Sequence, residues 1–249
     1  MNELKIGLVL PGGGARGAYQ LGVMLALKKY GLLKHIKAIS GGSIGVFTMM
    51  CFLMRDFYKA YNTFKEMNSQ RVLGYKKGFI NKLPIKGNGF FSRGPLISFI
   101  NQHFDLAKYV DTKIPLYASV AKVNKTGLKT TYSPAYFRLN NLSHERVLSI
   151  LLATSAIPRV FDEVLIGGNK YVDCLKADNE PFLPLTSHDI NALFVIPLTS
   201  SHNLKKYSKV NIPVVDFECS ELRESPIINM IDFETEKVDL YLNCGYFNG

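Results

Sequence analysis

The sequence predicts an α/β fold, a layered sheet with helices packed against it. Short apolar runs alternate with helical patterns along the whole chain, and the first two runs each pass through a glycine-rich turn into a helix. Two further junctions, Asn124-Lys125-Thr126-Gly127 and Gly167-Gly168-Asn169, join β-rich runs and read as hairpins, so the sheet should be mixed.

Lys5 to Leu10 reads as a buried strand, followed by Gly12-Gly13-Gly14-Ala15-Arg16-Gly17 and a helix over Ala18 to Tyr30. Ala38-Ile39 leads into Gly41-Gly42-Ser43-Ile44-Gly45, and Val46 to Phe64 reads as a second helix. Strands are expected over Ile114 to Val123, Ala192 to Leu198 and Ile212 to Phe217. Lys170-Tyr171-Val172 delivers Asp173 from a strand end into a turn, Cys174 to Asn179, and Glu234 to Gly245 closes the chain as a helix.

With 249 residues, 47% of them hydrophobic, and no repeat or low-complexity stretch, residues 1–249 read as one domain with one large core. The net charge of +10 is unevenly spread. From Met67 to Phe104 there is no acidic residue, while Arg71, Lys76, Lys77, Lys82, Lys86 and Arg93 fall among Tyr75, Phe79, Phe90 and Phe91. Glycines and a proline argue against one long helix, so residues 67–104 read as a basic, aromatic flap or loop. Two readings stand: a solvated loop with anchoring aromatics, or a flap making transient contact with an anionic membrane surface. No nucleic-acid-binding module is recognisable, so nucleic acid is not an expected partner.

The N-terminal Met1-Asn2-Glu3-Leu4-Lys5 lacks a signal-peptide pattern, and the most apolar stretch, Ile44 to Met54, is too short to span a bilayer. Cys51, Cys174, Cys219 and Cys244 lie far apart without metal-ligand spacing. Free thiols and a cytoplasmic location are expected, with no metal and no cofactor. His35, His103, His144, His188 and His202 are assigned surface or capping roles.

The chemistry concentrates in the two glycine turns. Gly-x-Ser-x-Gly between a strand and a helix is a nucleophile elbow, in which Gly41 and Gly45 permit the sharp turn that lifts Ser43 out of the sheet. The upstream loop offers backbone N–H groups at a helix N-terminus, where negative charge is favoured. Nucleotide-phosphate templates fit poorly: the loop ends Arg16-Gly17-Ala18, without the Gly-Lys-Ser/Thr of a P-loop, and the second strand carries no acid. Ser43 needs a base. Asp173 followed by His188 or His202 has the order of a Ser-Asp-His triad, but Ser43 follows only the second strand, early for that fold. The alternative is Asp173 taking the serine proton directly, competent if burial raises its proton affinity.

These residues resemble the patatin-like phospholipases, serine acyl hydrolases with a Ser-Asp dyad. Four blocks in order carry the resemblance: the glycine loop, the serine elbow, Ala153-Thr154-Ser155-Ala156-Ile157-Pro158, and Tyr171-Val172-Asp173 with Asp178-Asn179-Glu180-Pro181. The resemblance implies a three-layer sandwich around a central mixed, mostly parallel sheet. It implies a lipid acyl hydrolase of phospholipase A or lysophospholipase type, peripheral at membranes. It assigns Ser43 and Asp173 to catalysis and Gly12, Gly13, Gly14, Arg16 and Gly17 to the oxyanion loop. Two departures stand out. Cys174-Leu175 replace the family's usual Gly-Gly or Gly-Ala after the aspartate, and Asp162-Glu163 replace prolines that often follow Phe161. A catalytically degenerate lipid- or nucleotide-binding member is therefore the competing reading.

Overall fold

Strand β1 (Ile6–Leu10) is buried along its whole length, as a central strand covered on both faces must be. Ile6, Leu8 and Leu10 enter a large apolar core and Val9 a smaller one, following the two-residue side-chain period of a strand. A computed structural model of the chain describes residues 3–68, 71–72, 92–158, 160–199, 202–223 and 235–249. In it β1 lies at the centre of an eight-stranded sheet with β2 (Ile36–Gly42), β3 (Leu116–Thr126), β4 (Lys129–Arg138), β5 (Val164–Ile166), β6 (Asn169–Val172), β7 (Ala192–Val195) and β8 (Val214–Asp216). The pairs β1–β2, β1–β7, β2–β3 and β7–β8 are parallel. The pairs β3–β4, β3–β6 and β5–β6 are antiparallel, so the mixed sheet and both hairpins are as expected.

One feature of the topology sets the site. β4 pairs with β3 from Tyr117 to Thr126 and so occupies one edge of it. The other edge is shared by two strands placed end to end. β2 pairs with its first part and runs out at Gly42, opposite Ser119. β6 takes over at Ala121 and Lys122, running the opposite way. The exit of β6, Val172-Asp173, therefore points back at the end of β2, where Ser43 begins.

Eight α-helices are described: α1 (Gly17–Lys29), α2 (Ile44–Met54), α3 (Phe57–Glu66), α4 (Gly94–His103), α5 (Ala107–Asp111), α6 (His144–Thr154), α7 (Ser220–Arg223) and α8 (Thr235–Asn248). All feed the large core on one face of the sheet. The other face is covered by Phe182, Leu185 and Tyr207, from the 3-10 turns Leu183–Ser187 and Leu204–Tyr207. The third layer is thus thin. Pro181 and Pro184 restrict helix growth there, because a proline lacks the N–H that a helix interior needs.

The single helix expected over Val46 to Phe64 is two. Arg55 takes a left-handed conformation (φ 56°) and ends α2, and the Asp56 side chain then accepts from Lys59 N–H at 3.0 Å to cap α3. The closing helix runs three residues past Gly245, and Glu234 lies outside the described residues. Most of the 67–104 flap, residues 69–70 and 73–91, also lies outside them. Its described end is α4, whose Leu96, Phe99 and Ile100 are buried. Arg93 turns inward there, donating to the carbonyls of Leu152 and Asp162.

Candidate active site

Ser43 stands between the last residue of β2 and the first of α2, with φ 49° and ψ −124°. A positive φ is costly for a residue with a Cβ, on the order of 1–3 kcal/mol, and such strain clusters at functional sites. The surroundings hold the turn in place. Ser43 N–H donates to Thr154 Oγ1 at 2.8 Å, and that hydroxyl donates onward to the Ser119 carbonyl at 2.7 Å. Gly45 lies so close to the Leu10 carbonyl that a Cβ there would sit 1.8 Å from its oxygen. No other residue fits the position.

Asp173 is fully buried. Its N–H donates to the Ala156 carbonyl at 3.0 Å, tying it to the end of the α6 block. Oδ1 accepts from Leu175 N–H at 2.9 Å and from the Cys174 thiol at 3.7 Å. Oδ2 is buried and has no hydrogen-bond partner among the described residues. Burial raises the Asp173 pKa to about 6, against the lowering effects of Leu175 N–H, the Ser43 hydroxyl and the Cys174 thiol. The serine hydroxyl is thus near enough to act on the carboxylate, although no closed hydrogen bond joins them. A buried carboxylate with one oxygen open beside a serine is suited to accept that serine's proton.

Cys174 and Leu175 fit this turn without strain. Neither is among the described non-glycine residues with positive φ, which are Ser43, Arg55 and Asn141. The room for the thiol comes from across the site, where a Cβ on Gly42 would lie 2.4 Å from Cys174 Sγ. Of the other departure, Glu163 is paired with Lys125 at 3.4 Å and Lys170 at 2.9 Å.

The glycine loop packs directly on the serine turn. A Cβ on Gly12 would sit 3.0 Å from Ser43 Cβ, and Gly14 has φ 59° at the start of a 3-10 turn leading to α1. Both backbone groups of Gly12 are engaged: its N–H donates to Asn179 Oδ1 at 3.1 Å and its carbonyl accepts from Asn179 Nδ2 at 3.0 Å. Among the described residues the N–H groups of Gly13 and Gly14 make no hydrogen bond. Both sit in the loop that packs against the Ser43 turn. Arg16 is buried and donates from Nη1 to the Leu198 carbonyl at 2.9 Å. It anchors the loop from behind. Gly17 opens α1 against Ile44, and Gly41 is the penultimate residue of β2.

The histidines belong elsewhere. His188 shares a hydrogen bond with Tyr117 at 2.9 Å. His202, assigned a surface or capping role from sequence, is instead buried between Glu180 and Asp216, 2.9 Å from each. Burial pulls its pKa down, but the bonds to Asp216 and Glu180 outweigh that and carry it up to about 9. Tyr207 also donates to Glu180, and Lys206 and Tyr136 to Asp178. This buried network braces the segment that presents Asn179.

The curated relatives include "Lysophospholipase NTE1" of Cryptococcus neoformans var. neoformans serotype D, 28% identical over 205 residues, 79% of this chain and 11% of that protein. The chain therefore spans about a tenth of that relative's length. "Probable lipid hydrolase 463L" of Invertebrate iridescent virus 6 is 22% identical over 258 residues, 94% of this chain and 84% of that one. Among solved structures, human GIVD cytosolic phospholipase A2 in complex with methyl gamma-linolenyl fluorophosphonate is 12% identical. It covers 99% of this chain and 57% of its own, with a TM-score of 0.49. The sequence model for patatin-like phospholipases matches residues 8–186. Glycine loop, serine turn and aspartate strand all fall inside that span, and the chain belongs to the patatin-like phospholipase family.

Proposed function

We propose that this chain is a lipid acyl hydrolase working through a Ser43–Asp173 dyad. Asp173 Oδ2 takes the proton of the Ser43 hydroxyl as Oγ attacks the ester carbonyl. The N–H groups of Gly13 and Gly14 hold the oxyanion, a contribution worth about 10² to 10³ in rate per donor. Collapse expels the alcohol, which leaves with the proton from Asp173, and an acyl-Ser43 remains. Water then gives its proton to Asp173 and attacks the acyl carbonyl, releasing a fatty acid and restoring the serine. The observation that carries the reading is Asp173 itself: buried, with pKa about 6 and one oxygen that has no partner among the described residues, beside a strained serine.

Lysophospholipids and phospholipids are the proposed substrates, supported by family membership and by the names of the curated relatives. The four described cysteines are free thiols, which supports a reducing, cytoplasmic setting. No helix among the described residues is long and apolar enough to cross a membrane. Residues 1–249 act as one catalytic domain in this proposal.

The test is labelling with a serine-reactive fluorophosphonate, followed by a panel of lipid esters. Label is expected on Ser43, with Ser43→Ala losing both label and turnover. Label that persists in Ser43→Ala moves the nucleophile elsewhere. A protein inert to both probe and lipids is the degenerate member of the family.

A further inference from the structure

Two hairpins extend the sheet past the end at which Ser43 sits, and their tips carry exposed residues that no folding role explains. β3 passes Ser119, opposite Gly42, and continues to Thr126, so its turn stands about 25 Å beyond the end of β2. Gly127, at φ 59°, takes the first position of that turn. Leu128 takes the second and is fully exposed. β6 runs beside β3 in the same register block, and its turn to β5, Gly167-Gly168, projects in the same direction. Leu165, opposite Lys170, is 67% exposed. Single exposed leucines are ordinary. Leu128 is at a tip, and Leu165 stands two residues before the neighbouring turn, level with Val123, both beyond the end of β2 at which Ser43 sits.

Charge completes the pattern. Lys122, Lys125, Lys129 and Lys170 lie toward the tips of the two hairpins; Glu163, just before β5, pairs with Lys125 and Lys170, which leaves the positive charge of Lys122 and Lys129 in excess there. Apolar side chains at a tip with lysines around them match the boundary between acyl chains and anionic headgroups. Pairing with another strand is disfavoured on this edge, because β4 bears Pro134 and Lys129, which blunt strand addition.

We infer that the tips of the β3–β4 and β5–β6 hairpins dock on anionic bilayers, with Leu128 and Leu165 entering the interface and the lysines meeting headgroups. The inference rests on the lipid-hydrolase reading for its purpose and names the surface that brings the site to its substrate.

The chain contains no tryptophan, so a single introduced one reports its own surroundings. Leu128→Trp should shift its emission to the blue on adding vesicles of phosphatidylcholine with 30% phosphatidylserine. Vesicles of phosphatidylcholine alone, or 0.5 M salt, should shift it little. Tyr30→Trp, exposed at the opposite end of the sheet where α1 finishes, should not respond. In vesicle sedimentation, Leu128→Asp should lower binding about tenfold, and Lys129→Glu at least about fivefold. Both variants should hydrolyse a soluble short-chain ester at the parental rate. Ester hydrolysis without vesicle binding overturns this inference and leaves the hydrolase reading standing, whereas binding without hydrolysis does the reverse. A shift at Tyr30→Trp with none at Leu128→Trp puts the membrane on the other end and overturns it. A loss of self-association in Leu128→Asp, with vesicle binding intact, assigns the tip to a second copy of the chain and also overturns it.

Discussion

Asn179 holds Gly12 by both of its backbone polar groups, accepting from the N–H at 3.1 Å and donating to the carbonyl at 3.0 Å. A side chain from the turn after Asp173 thereby fixes the loop that faces Ser43. The two halves of the candidate site are joined by one amide.

Replacing that amide should loosen the glycine loop and free the Cys174 thiol, which also donates to Asn179, while leaving Ser43 and Asp173 themselves in place. Asn179→Ala is expected to lower kcat about 10²-fold, the scale on which a misplacement near 1 Å acts, with KM for a short-chain ester nearly unchanged. Fluorophosphonate labelling of Ser43 should slow in parallel. A variant with parental kcat would show that Gly12 keeps its place unaided.

The pH profile should report Asp173. Its pKa, raised by burial to about 6, means the carboxylate is protonated below that pH and cannot accept the serine proton. The rate should therefore fall about tenfold per unit below pH 6 and level off above it. Asp173→Asn should abolish turnover at every pH, with circular dichroism unchanged. A profile with no limb between pH 5 and 7 in the folded protein would remove Asp173 from the role of base.

Gly42 and Cys174 should behave as a complementary pair. Gly42→Ala places a methyl 2.4 Å from Cys174 Sγ, and activity should drop sharply. Adding Cys174→Gly to that variant should restore much of it, measured as a positive coupling in a double-mutant cycle. Cys174→Gly alone removes a thiol that lowers the Asp173 pKa, so the acid limb of the rate profile should move to higher pH.

His202 should matter for stability and not for chemistry. Its folded pKa of about 9 exceeds the unfolded value of 6.5, so the stability it contributes is complete below pH 6.5. That stability is lost as pH rises toward 9 and amounts to ~3 kcal/mol at most. Thermal melts of the parent should decline over that window, and those of His202→Gln should decline less. His188→Ala should leave ester hydrolysis within about tenfold of the parent. A loss of about 10⁴ would revive a Ser-Asp-His triad.

Local patterns were readable from sequence and distant ones were not. Ser43 and its flanking glycines declare themselves because a sharp strand-to-helix turn needs small residues at fixed offsets. Asp173 is legible as an acid at a strand end, and it follows β6 directly. The partners that support them are far away in the chain: Asn179 meets Gly12 across 167 residues, and Thr154 meets Ser43 across 111. His202 reads as a surface residue for the same reason, since its partners Glu180 and Asp216 lie 22 and 14 residues from it. The break at Arg55-Asp56 is masked in the sequence by the apolar run before it, although the capping aspartate is displayed there.

The end-to-end placement of β2 and β6 along one edge of β3 makes residue count the gauge of the candidate site. Only Val120 separates Ser119, where β2 finishes, from Ala121, where β6 takes over. Inserting or deleting one residue there would move the aspartate relative to the serine by about 3.3 Å and turn every following side chain to the opposite face. Exchanging one apolar side chain for another at Val120 leaves that spacing alone. Related chains should accordingly vary this stretch in residue type while preserving its length, and loop grafts that end within it should inactivate the protein even when they fold.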